Sequence, residues 1–460
     1  MSDKPHIPSR QIDDFFDNEY REYALYTIQN RALPSVIDGF KPSQRKIAFV
    51  ANRVFKGGNE KPLKVFQLAG RVASEAFYHH GGGSLEGAIT AMAQDFKNSM
   101  PIFEGIGQFG SLRSPEAGAP RYVGVKFNEN FRLLYKDFDL VDPRYEEGEE
   151  IEPKFFLPII PTVLLNGGSG IAVGFATNIL NRHPVDLIDA CLNVLLEKDL
   201  KPIKPWIRGF EGTFDVAPDS SKSWIIKGNY NIKNTSTVEV TEIPPSFTYE
   251  KYEQHLDSLV EKGVLHSYDD NSSEKINYVL KFPRQTLSEI IKKKKLDETL
   301  KMAEREGENF TTLDENGKLK AFESAEEIVR YFVNFRSGYY IIRKQKLLSN
   351  LREELQTLSN RARFIESIVD GSLIVNGRKK KEIEEDLKTM KFDKQDGSWN
   401  YLTSLPIHSL TLEKLEEIKK SVEEKRSEVL KIEATEPVDM YKDDLLELKK
   451  KILKSVKNKS

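Results

Sequence analysis

The chain lacks features that would place it in several common protein classes. Cys191 is its only cysteine, which excludes an intrachain disulfide and a thiolate metal cluster. No apolar run approaches the ~20 residues that a membrane-spanning helix needs, and the polar N-terminus has no signal-peptide core. The composition that remains, 39% hydrophobic and 30% charged, is ordinary for a globular protein. These features predict a protein of the reducing cytoplasm.

A strong net charge is also missing, since the formal charge is only −2. The charge is nevertheless unevenly distributed. Between residues 31 and 64, eight lysines and arginines stand against two acids, a local charge of +6, whereas acids are concentrated in residues 146–152. DNA binding needs a positive face rather than a positive average. Residues 31–64 are therefore either a DNA-facing surface or an ordinary solvated helix and loop.

The phosphate-binding motifs of nucleotide enzymes are absent or incomplete. The chain has no Walker loop, and its Gly-x-Gly-x-x-Gly pattern lies at residues 105–110. A dinucleotide site needs a strand before this pattern and a helix after it. No strand is evident before it, and Pro115, Gly118 and Pro120 oppose a helix after it. We interpret the pattern as a false positive, so a nicotinamide-dependent enzyme is not favoured.

The same glycine- and proline-rich stretch, residues 105–122, ends in Arg121-Tyr122. Such a loop can hold a phenol in the open beside a fixed cation. A phenol can attack a phosphodiester, and a guanidinium can stabilise the charge that develops on phenolate and phosphorus. The chain has 17 tyrosines, and most tyrosines in proteins pack or form hydrogen bonds. The pattern alone therefore leaves both interpretations of Tyr122 open.

A series of motifs favours the catalytic interpretation. In this order, they resemble the breakage-reunion region of type IIA DNA topoisomerases, and the wording of two of them, PRY and YHHG, is closer to eukaryotic and T-even phage members than to bacterial gyrase. The motifs are NRALP (30–34), DGFKPSQRK (38–46), QLAG (67–70), YHHG (78–81), GQFG (107–110), PRY (120–122), FLPIIPTVLLNGGSGIAVGFAT (156–177), TEIPPS (241–246), LDENGKLKAF (313–322) and SNRARFIESIVDG (359–371).

The resemblance implies a multidomain α+β protein. Its expected parts are an N-terminal arm (1–29), a winged-helix, or helix-turn-helix, DNA-cleavage domain (30–151), an α/β tower domain (152–322) and a long antiparallel coiled-coil arm (323–460). A small helical exit gate is expected near 371–409. The apolar rhythm of the last part also fits a plain helical bundle, because the periodicity of the two is similar.

Local patterns add predictions within these parts. They place helices at 41–55, 64–77 and 84–96, the last with Ser84 as N-cap. Further predictions are strands at 223–227, 237–243 and 276–282, helices at 184–197 and 249–262, and a frayed lysine-rich tail at 449–460.

The resemblance also implies roles for individual residues. Tyr122 would be the nucleophile, with Arg121 beside it, and Ile171 would be an apolar wedge between DNA base steps. The remaining expected DNA contacts are Arg31, Lys41, Arg45, His79 and His80. The alternatives are a histidine pair that merely caps a turn or faces solvent, and a core isoleucine beside a glycine turn. The chain departs from the family pattern at Gly81-Gly82-Gly83, which puts into question the side-chain contacts that relatives make there.

The expected activity is that of the component of an ATP-dependent type II DNA topoisomerase that cuts and rejoins DNA. It would make a transient double-strand break through a 5′-phosphotyrosyl link at Tyr122, followed by strand passage and religation. The alternative is a non-catalytic, architectural DNA-binding coiled-coil dimer in which Tyr122 only packs. A plasmid cleavage assay separates the two.

The family's metal-binding signature, Glu-Gly-Asp-Ser followed by Asp-x-Asp, is missing from the sequence. The resemblance therefore implies that Mg²⁺ and ATP are bound by a partner subunit rather than by this chain. The other expected partners are double-stranded DNA and a second copy of this chain within a hetero-oligomer. The expected location is the cytoplasm, that of the host if the chain is phage-encoded.

Overall fold

The computed structural model describes residues 12–55, 61–273 and 275–457 of a mixed α+β protein. The chain divides into two compact units. The first contains Met1–Arg336 and Asp444–Ser460, and the second contains Ser337–Asp443. The expected boundary between cleavage and tower domains, at residues 151 and 152, lies inside the first unit and stays a prediction.

The described chain begins with a helical segment whose last turn is anchored in the first unit. Ile28, Ala32 and Leu33 are buried together with Leu313. This burial fixes the rotation of the turn that carries the exposed Arg31. Residues 1–11 of the predicted arm lie outside the described residues. The pieces of the segment are Ile12–Phe15, Arg21–Thr27 and the π-helical Phe16–Tyr20 and Ile28–Ala32.

Three helices follow, near their predicted positions: Pro42–Val54, Val65–Glu75 and Gly82–Ala93. Pro42 suits a first helical turn because its missing N–H would be unpaired there in any case. The prediction of Ser84 as N-cap is wrong, since Gly81 occupies that position. Ser84 lies within the first turn, where its Oγ donates a hydrogen bond to the carbonyl oxygen of Gly81. The helix also ends before the predicted residue 96.

A three-stranded antiparallel sheet packs beside these helices. Its central strand, Gly124–Phe127, pairs with Leu63–Lys64 on one side and Phe103–Ile106 on the other. The Phe127 ring stacks on Phe103 and Phe131 at centroid distances of 5.5 and 4.1 Å. Full burial of Phe103 and Phe131 stabilises the fold by about 1.5–3 kcal/mol each.

The connection between the two longer strands, residues 107–123, carries Tyr122 and is named the tyrosine loop. Contrary to the sequence prediction, the strand Phe103–Ile106 leads into the glycine pattern. No helix follows it in residues 107–123, all of which are described, so a dinucleotide fold is not formed. The glycines have a local role. A Cβ on Gly105 would lie 2.5 Å from the Phe109 ring, and Gly110 has φ +80°.

The middle of the first unit contains short elements and one longer helix, Pro184–Leu195, which buries Cys191 completely. Burial raises the pKa of this thiol, so it stays protonated at neutral pH. The hairpin formed by Gly168–Ile171 and Ala176–Ile179 is named the isoleucine hairpin. The other elements are Glu129–Leu134, Phe138–Leu140, Arg144–Glu146, Glu149–Ile151 and Thr162–Leu165.

Two larger sheets form the rest of the first unit. The four-stranded sheet has the order Asn229–Asn234, Thr237–Glu242, Tyr278–Lys281, Ser267–Asp270. Helix Tyr249–Glu261 packs on it through Tyr252, Leu256 and Leu259. The other of these two sheets has three strands, in the order Ala303–Gly307, Ser220–Lys227, Thr213–Ala217. The predicted strands and helices here are confirmed with small changes at their ends. The remaining elements are Thr286–Lys292, Leu296–Thr299, Phe310–Leu313 and Leu319–Phe322.

The second unit is built on two antiparallel helices. The 45-residue helix Ala325–Val369 begins in the first unit, and Leu412–Ala434 returns beside its second half. Ion pairs joining Glu366 to Lys419 and Glu354 to Lys425 show that the two helices run antiparallel. The insert between the helices has its own core, with Leu373, Leu387, Phe392, Trp399 and Leu402 packed on Phe364. Its elements are Lys380–Thr389, Asn400–Thr403 and Ile407–Ser409.

The last helix, Pro437–Lys457, returns the chain to the first unit. Leu445, Leu448 and Ile452 are buried at helical spacing, and Lys449 pairs with Asp189. The prediction of a frayed tail from residue 449 is therefore wrong up to residue 457, and residues 458–460 lie outside the described part. Among the helices of the described residues, none is long and apolar enough to cross a membrane.

Candidate active site

Tyr122 lies at the end of the tyrosine loop with its ring in the open. Its exposed fraction is 66%. The guanidinium carbon of Arg121 lies 4.7 Å from the centroid of the Tyr122 ring, which places a permanent cation on the phenol. Directly after Tyr122, Val123 is buried and begins the return to the sheet. The arrangement gives an accessible phenol oxygen and an adjacent positive charge.

The backbone around Tyr122 is held on the side of helix Val65–Glu75. The Tyr122 N–H donates to the carbonyl oxygen of Ala119 at 2.8 Å. The first helical amides, of Val65 and Phe66, donate to the carbonyl oxygens of Val123 and Pro120. The Lys64 ammonium donates to the carbonyl oxygen of Tyr122. The main chain of Tyr122 is thus fixed while its side chain stays exposed.

Four of the predicted DNA contacts come together in one groove of about 890 Å³. Arg31 and Lys41 lie on one side, and His79 and His80 lie in the turn between two helices. The first turns of helices Pro42–Val54 and Gly82–Ala93 also face the groove, where helix dipoles favour anions. No carboxylate occurs among the described residues that line it. Its chemistry fits phosphate oxygens. The other lining residues are Asn30, Ser43, Gln44, Tyr78, Gly81, Gly83, Ser84 and Ala88.

The histidine turn is braced from two sides. The distance between His80 Nε2 and Tyr26 Oη is 3.0 Å, and Tyr78 Oη lies 2.8 Å from Ser84 Oγ. Because Ser84 donates its own proton to Gly81, Tyr78 is the donor to Ser84. Both His79 and His80 remain exposed. The turn therefore holds two imidazoles toward the groove rather than burying them.

Arg45 does not belong to this surface, which corrects its prediction as a DNA contact. Its side chain is 10% exposed and forms a bidentate ion pair with the fully buried Asp38, at 2.7 and 3.0 Å. Burial acts to lower the pKa of Arg45, but the charge and hydrogen bonds of Asp38 outweigh it and the pKa is raised. Asp38 also accepts from the amides of Phe40 and Phe156. Arg45 therefore neutralises a structural carboxylate.

Ile171 lies on the isoleucine hairpin and is 87% exposed, which contradicts the interpretation as a core residue. The hairpin is seated on the segment that carries Arg31. A Cβ on Gly170 would lie 2.1 Å from the carbonyl oxygen of Ala32. The Lys41 ammonium donates to the carbonyl oxygen of Ser169 at 2.8 Å, and burial lowers the pKa of Lys41. Lys41 therefore touches both the groove and the hairpin.

Comparison with known proteins identifies the family. The family model that describes the A subunit of DNA gyrase/topoisomerase IV matches residues 31–447. This is most of the chain. The protein belongs to this topoisomerase family. The match includes Tyr122, the groove and the isoleucine hairpin.

The relatives of this topoisomerase chain differ in length. It is 32% identical to the DNA topoisomerase medium subunit of Enterobacteria phage T4, over 96% of this chain and 100% of that protein. It is also 32% identical to DNA topoisomerase 2 of Arabidopsis thaliana, over 98% of this chain but 34% of that enzyme. The chain thus spans about a third of the latter. A crystal structure of the DNA-binding, cleavage and re-ligation domain of Plasmodium falciparum topoisomerase II matches with a TM-score of 0.84 and 30% identity. That match covers 97% of this chain and 66% of the other.

Among the described residues, the groove offers no ligand set that suits the Mg²⁺ expected from the topoisomerase family. Within residues 12–55, 61–273 and 275–457, no three His, Cys, Asp or Glu side chains form a cluster that could hold a metal ion. The groove is lined by cations, imidazoles and neutral groups, whereas Mg²⁺ prefers carboxylate and carbonyl oxygens. No chemical step is therefore assigned to a metal on this chain.

The structure separates the predicted site residues into four places. Arg31, Lys41, His79 and His80 share the groove, while Arg121 and Tyr122 lie on the tyrosine loop and Ile171 on its hairpin. Arg45 is buried against Asp38. Four supporting residues were not predicted to have a role: Asp38, Lys64, Gln94 and Arg113. Asp38 had a signal, because an acid in a segment of local charge +6 points to a basic partner. The long-range partners of Gln94 and Arg113 left no signal in the sequence.

Proposed function

We propose that this chain cuts and rejoins double-stranded DNA within a type II topoisomerase, with Tyr122 as the nucleophile. The observation that carries the proposal is a 66% exposed phenol beside Arg121, on a loop whose backbone is pinned, in a chain of the topoisomerase family. Tyr122 Oη attacks a DNA phosphorus and forms an O–P bond. The bond from phosphorus to the 3′ oxygen breaks, which leaves the 5′ end on the protein.

The step is neutral in protons, because the phenol gives one up and the leaving 3′ oxygen takes one up. The phosphotyrosyl ester keeps the energy of the broken bond, so the reverse attack by the 3′ hydroxyl needs no ATP. Arg121 stabilises the negative charge that develops on the phenol oxygen and on phosphorus. Two copies of the chain in a dimer cut the two strands, and strand passage precedes religation.

The groove holds the DNA backbone in this proposal. Arg31, Lys41, His79 and His80 contact phosphate oxygens, and the two helix N-termini add their partial positive charge. Such contacts position the duplex without reading its sequence. The logarithm of the binding constant falls linearly with the logarithm of the salt concentration, and each lost phosphate contact makes this slope shallower by about one unit. Arg45 is left out of this set because its guanidinium is committed to Asp38.

Ile171 acts as the wedge that bends the duplex. An apolar side chain inserted between base steps costs a few kcal/mol of unstacking per step, which a bent duplex regains by touching more protein. The exposure of Ile171 and the seating of its hairpin against Ala32 support this role.

The finer architecture that we propose follows the family. Helices Val65–Glu75 and Gly82–Ala93 form a winged-helix cleavage domain within residues 30–151, together with the three-stranded sheet whose central strand is Gly124–Phe127. The two larger sheets within residues 152–322 form the tower. The antiparallel helices form a coiled-coil arm, and the insert near residues 371–409 is the exit gate.

We propose a homodimer of this chain within a hetero-oligomer, in the cytoplasm. The partner subunit supplies the Mg²⁺ ligands and hydrolyses ATP. The support is that the matched T4 relative is named as one subunit of a topoisomerase. The described lining of the groove, which consists of cations, imidazoles and neutral groups, suits phosphate better than Mg²⁺. Addition of the purified partner to the chain with Mg²⁺ tests this assignment, since DNA cleavage should need both.

A plasmid cleavage assay tests the function. The chain, its partner, Mg²⁺ and supercoiled plasmid are mixed, quenched with detergent and digested with protease. We expect protein-linked linear DNA, its complete loss in Tyr122→Phe, and its persistence in Tyr145→Phe, a control tyrosine that is 65% exposed on another hairpin. DNA binding without any adduct would instead favour an architectural role. An adduct mapped by mass spectrometry to another residue would refute Tyr122.

A further inference from the structure

Arg113 is a buried arginine in the tyrosine loop, upstream of Tyr122. It lies in a small turn closed by two hydrogen bonds between Ser111 and Ser114. The turn closes tightly, since a Cβ on Gly110 would lie 2.7 Å from the carbonyl oxygen of Ser114. Only 7% of Arg113 is exposed, so it offers no surface to DNA. Its charge must be satisfied inside the protein.

The four carbonyl and carboxylate partners of the Arg113 guanidinium lie on one distant segment, residues 242–247. Nη2 donates to Glu242 Oε1 and to the carbonyl oxygen of Ile243, both at 2.6 Å. Nη1 donates to the carbonyl oxygens of Pro244 and Phe247 at 2.8 and 2.9 Å. One guanidinium therefore makes four hydrogen bonds to the end of strand Thr237–Glu242 and the turn after it.

The connection also involves the main chain and the far side of Glu242. The Tyr249 amide, at the start of helix Tyr249–Glu261, donates to the carbonyl oxygen of Arg113. Glu242 is itself 5% exposed, and its Oε2 accepts from the Glu211 amide at 2.9 Å. The loop is thus fastened to a rigid corner of the four-stranded sheet.

Other contacts fasten the tyrosine loop to its own neighbourhood. Gln94 Nε2 donates to the carbonyl oxygens of Phe109 and Pro115 at 2.8 and 3.0 Å, and Lys64 holds Tyr122. Arg113 differs from Gln94 and Lys64, because it crosses to a separate sheet through a buried ion pair. Loss of the Arg113 side chain would remove its four hydrogen bonds to residues 242–247. The Tyr249 amide bond and the contacts of Gln94 and Lys64 would stay in place.

We infer that Arg113 is a positioning residue that holds Tyr122 in its attack geometry by tying the tyrosine loop to residues 242–247. This inference rests on the proposed function. A displacement of the 242–247 corner then reaches the nucleophile through the guanidinium. A misplacement of about 1 Å at a reacting group can slow a reaction about a hundredfold.

Single-turnover cleavage by the complex with its partner subunit tests this inference. Arg113→Met would leave Glu242 buried and unpaired, so the test variant is the double change Arg113→Met with Glu242→Gln. We expect the rate of adduct formation at saturating DNA to fall by about tenfold or more. Affinity for duplex DNA, measured without Mg²⁺, should stay unchanged because Arg113 is buried. Arg113→Lys keeps the charge but loses the paired N–H donors of the guanidinium. Its rate of adduct formation should lie between those of the unaltered protein and the double variant.

A second readout separates positioning from stability alone. Hydrogen exchange of the Tyr122 amide, measured well below the melting temperature, should accelerate in both variants. If the double variant does not fold, Arg113→Lys carries the test. Folded variants with the unaltered cleavage rate, or with equal losses of rate and DNA affinity, would overturn the inference. An adduct that persists in Tyr122→Phe would overturn the proposed function instead, whatever the Arg113 variants do.

Discussion

The tyrosine loop and the isoleucine hairpin both hold a large side chain in the open, but they are fastened in different ways. The loop is held by side chains, chiefly Arg113 and Gln94, whose hydrogen bonds run to distant carbonyl groups. The hairpin is held on one strand by hydrogen bonds of Asn178 to residues 306–309. On the other strand two main chains approach closely, because Gly170 leaves no room for a side chain against Ala32. The loop should therefore lose its fixed position when the charge of Arg113 is removed. The hairpin should lose its position against Ala32 when a methyl group is added to Gly170.

The largest expected effect on stability comes from Arg45→Met. This change measures what the loss of a buried ion pair costs at a position outside the tyrosine loop and the isoleucine hairpin. Removing one partner of a buried pair typically costs about 3–5 kcal/mol. We expect that loss in the free energy of unfolding, measured by urea titration, with partial recovery when Asp38→Asn is added.

The matched control for Arg45 is Arg31→Met, since Arg31 lies in the groove. This change should leave stability unaltered and lower the salt dependence of DNA binding by about one unit. A stable Arg45→Met variant that binds DNA poorly would contradict the structural role of Arg45.

Gly170→Ala should have the next largest effect and tests whether shape fixes the hairpin. The added Cβ would lie 2.1 Å from the carbonyl oxygen of Ala32, so one main chain must move. Overpacking of this kind costs about 1–3 kcal/mol. DNA bending, measured by energy transfer between dyes at the two duplex ends, should weaken as well.

The control for added bulk is Gly87→Ala, because a Cβ there meets nothing within 4 Å. It lies in helix Gly82–Ala93, where replacing glycine with alanine stabilises by roughly 0.5–1 kcal/mol. Equal melting temperatures for Gly170→Ala and Gly87→Ala would show that the hairpin can move away from Ala32 at little cost in stability.

Ile171→Ala should change stability least, within about 0.5 kcal/mol, because the side chain is 87% exposed. It should nevertheless reduce the bend of bound DNA, since the wedge is gone. Ile171→Leu serves as the control and should keep most of the bend. Full bending by Ile171→Ala would remove the wedge from the proposed function, whereas a large loss of stability would place Ile171 in packing.

The sequence predicts the structure best where local pattern and fold agree. Helix Pro42–Val54 matches its prediction within one residue at each end. Both signals for it, the proline in its first turn and its apolar side, lie within the helix itself. Arg45 shows the limit. It lies three and four residues before the buried Ala48 and Phe49, a spacing that puts it on the inner face, whereas the family resemblance implies a DNA contact. Its partner Asp38 lies in a separate turn.

The other errors have similar physical causes. The lysines of the tail from residue 449 suggest fraying, whereas Leu445, Leu448 and Ile452 at helical spacing decide its structure. Residue preference favours Ser84 as the cap, but the three glycines before it allow the helix to start earlier. The fastening of the tyrosine loop by Arg113 depends on residues 242–247, and no local pattern reports such a distant pairing.

The burial of Cys191 has a practical consequence. Its thiol is enclosed in helix Pro184–Leu195 and stays protonated, so it reacts slowly with maleimides. A cysteine introduced at an exposed position would then be the one fast-reacting thiol among the described residues. Fluorophores or spin labels could be attached there without first removing the native thiol, and distance changes within the protein could be followed in real time.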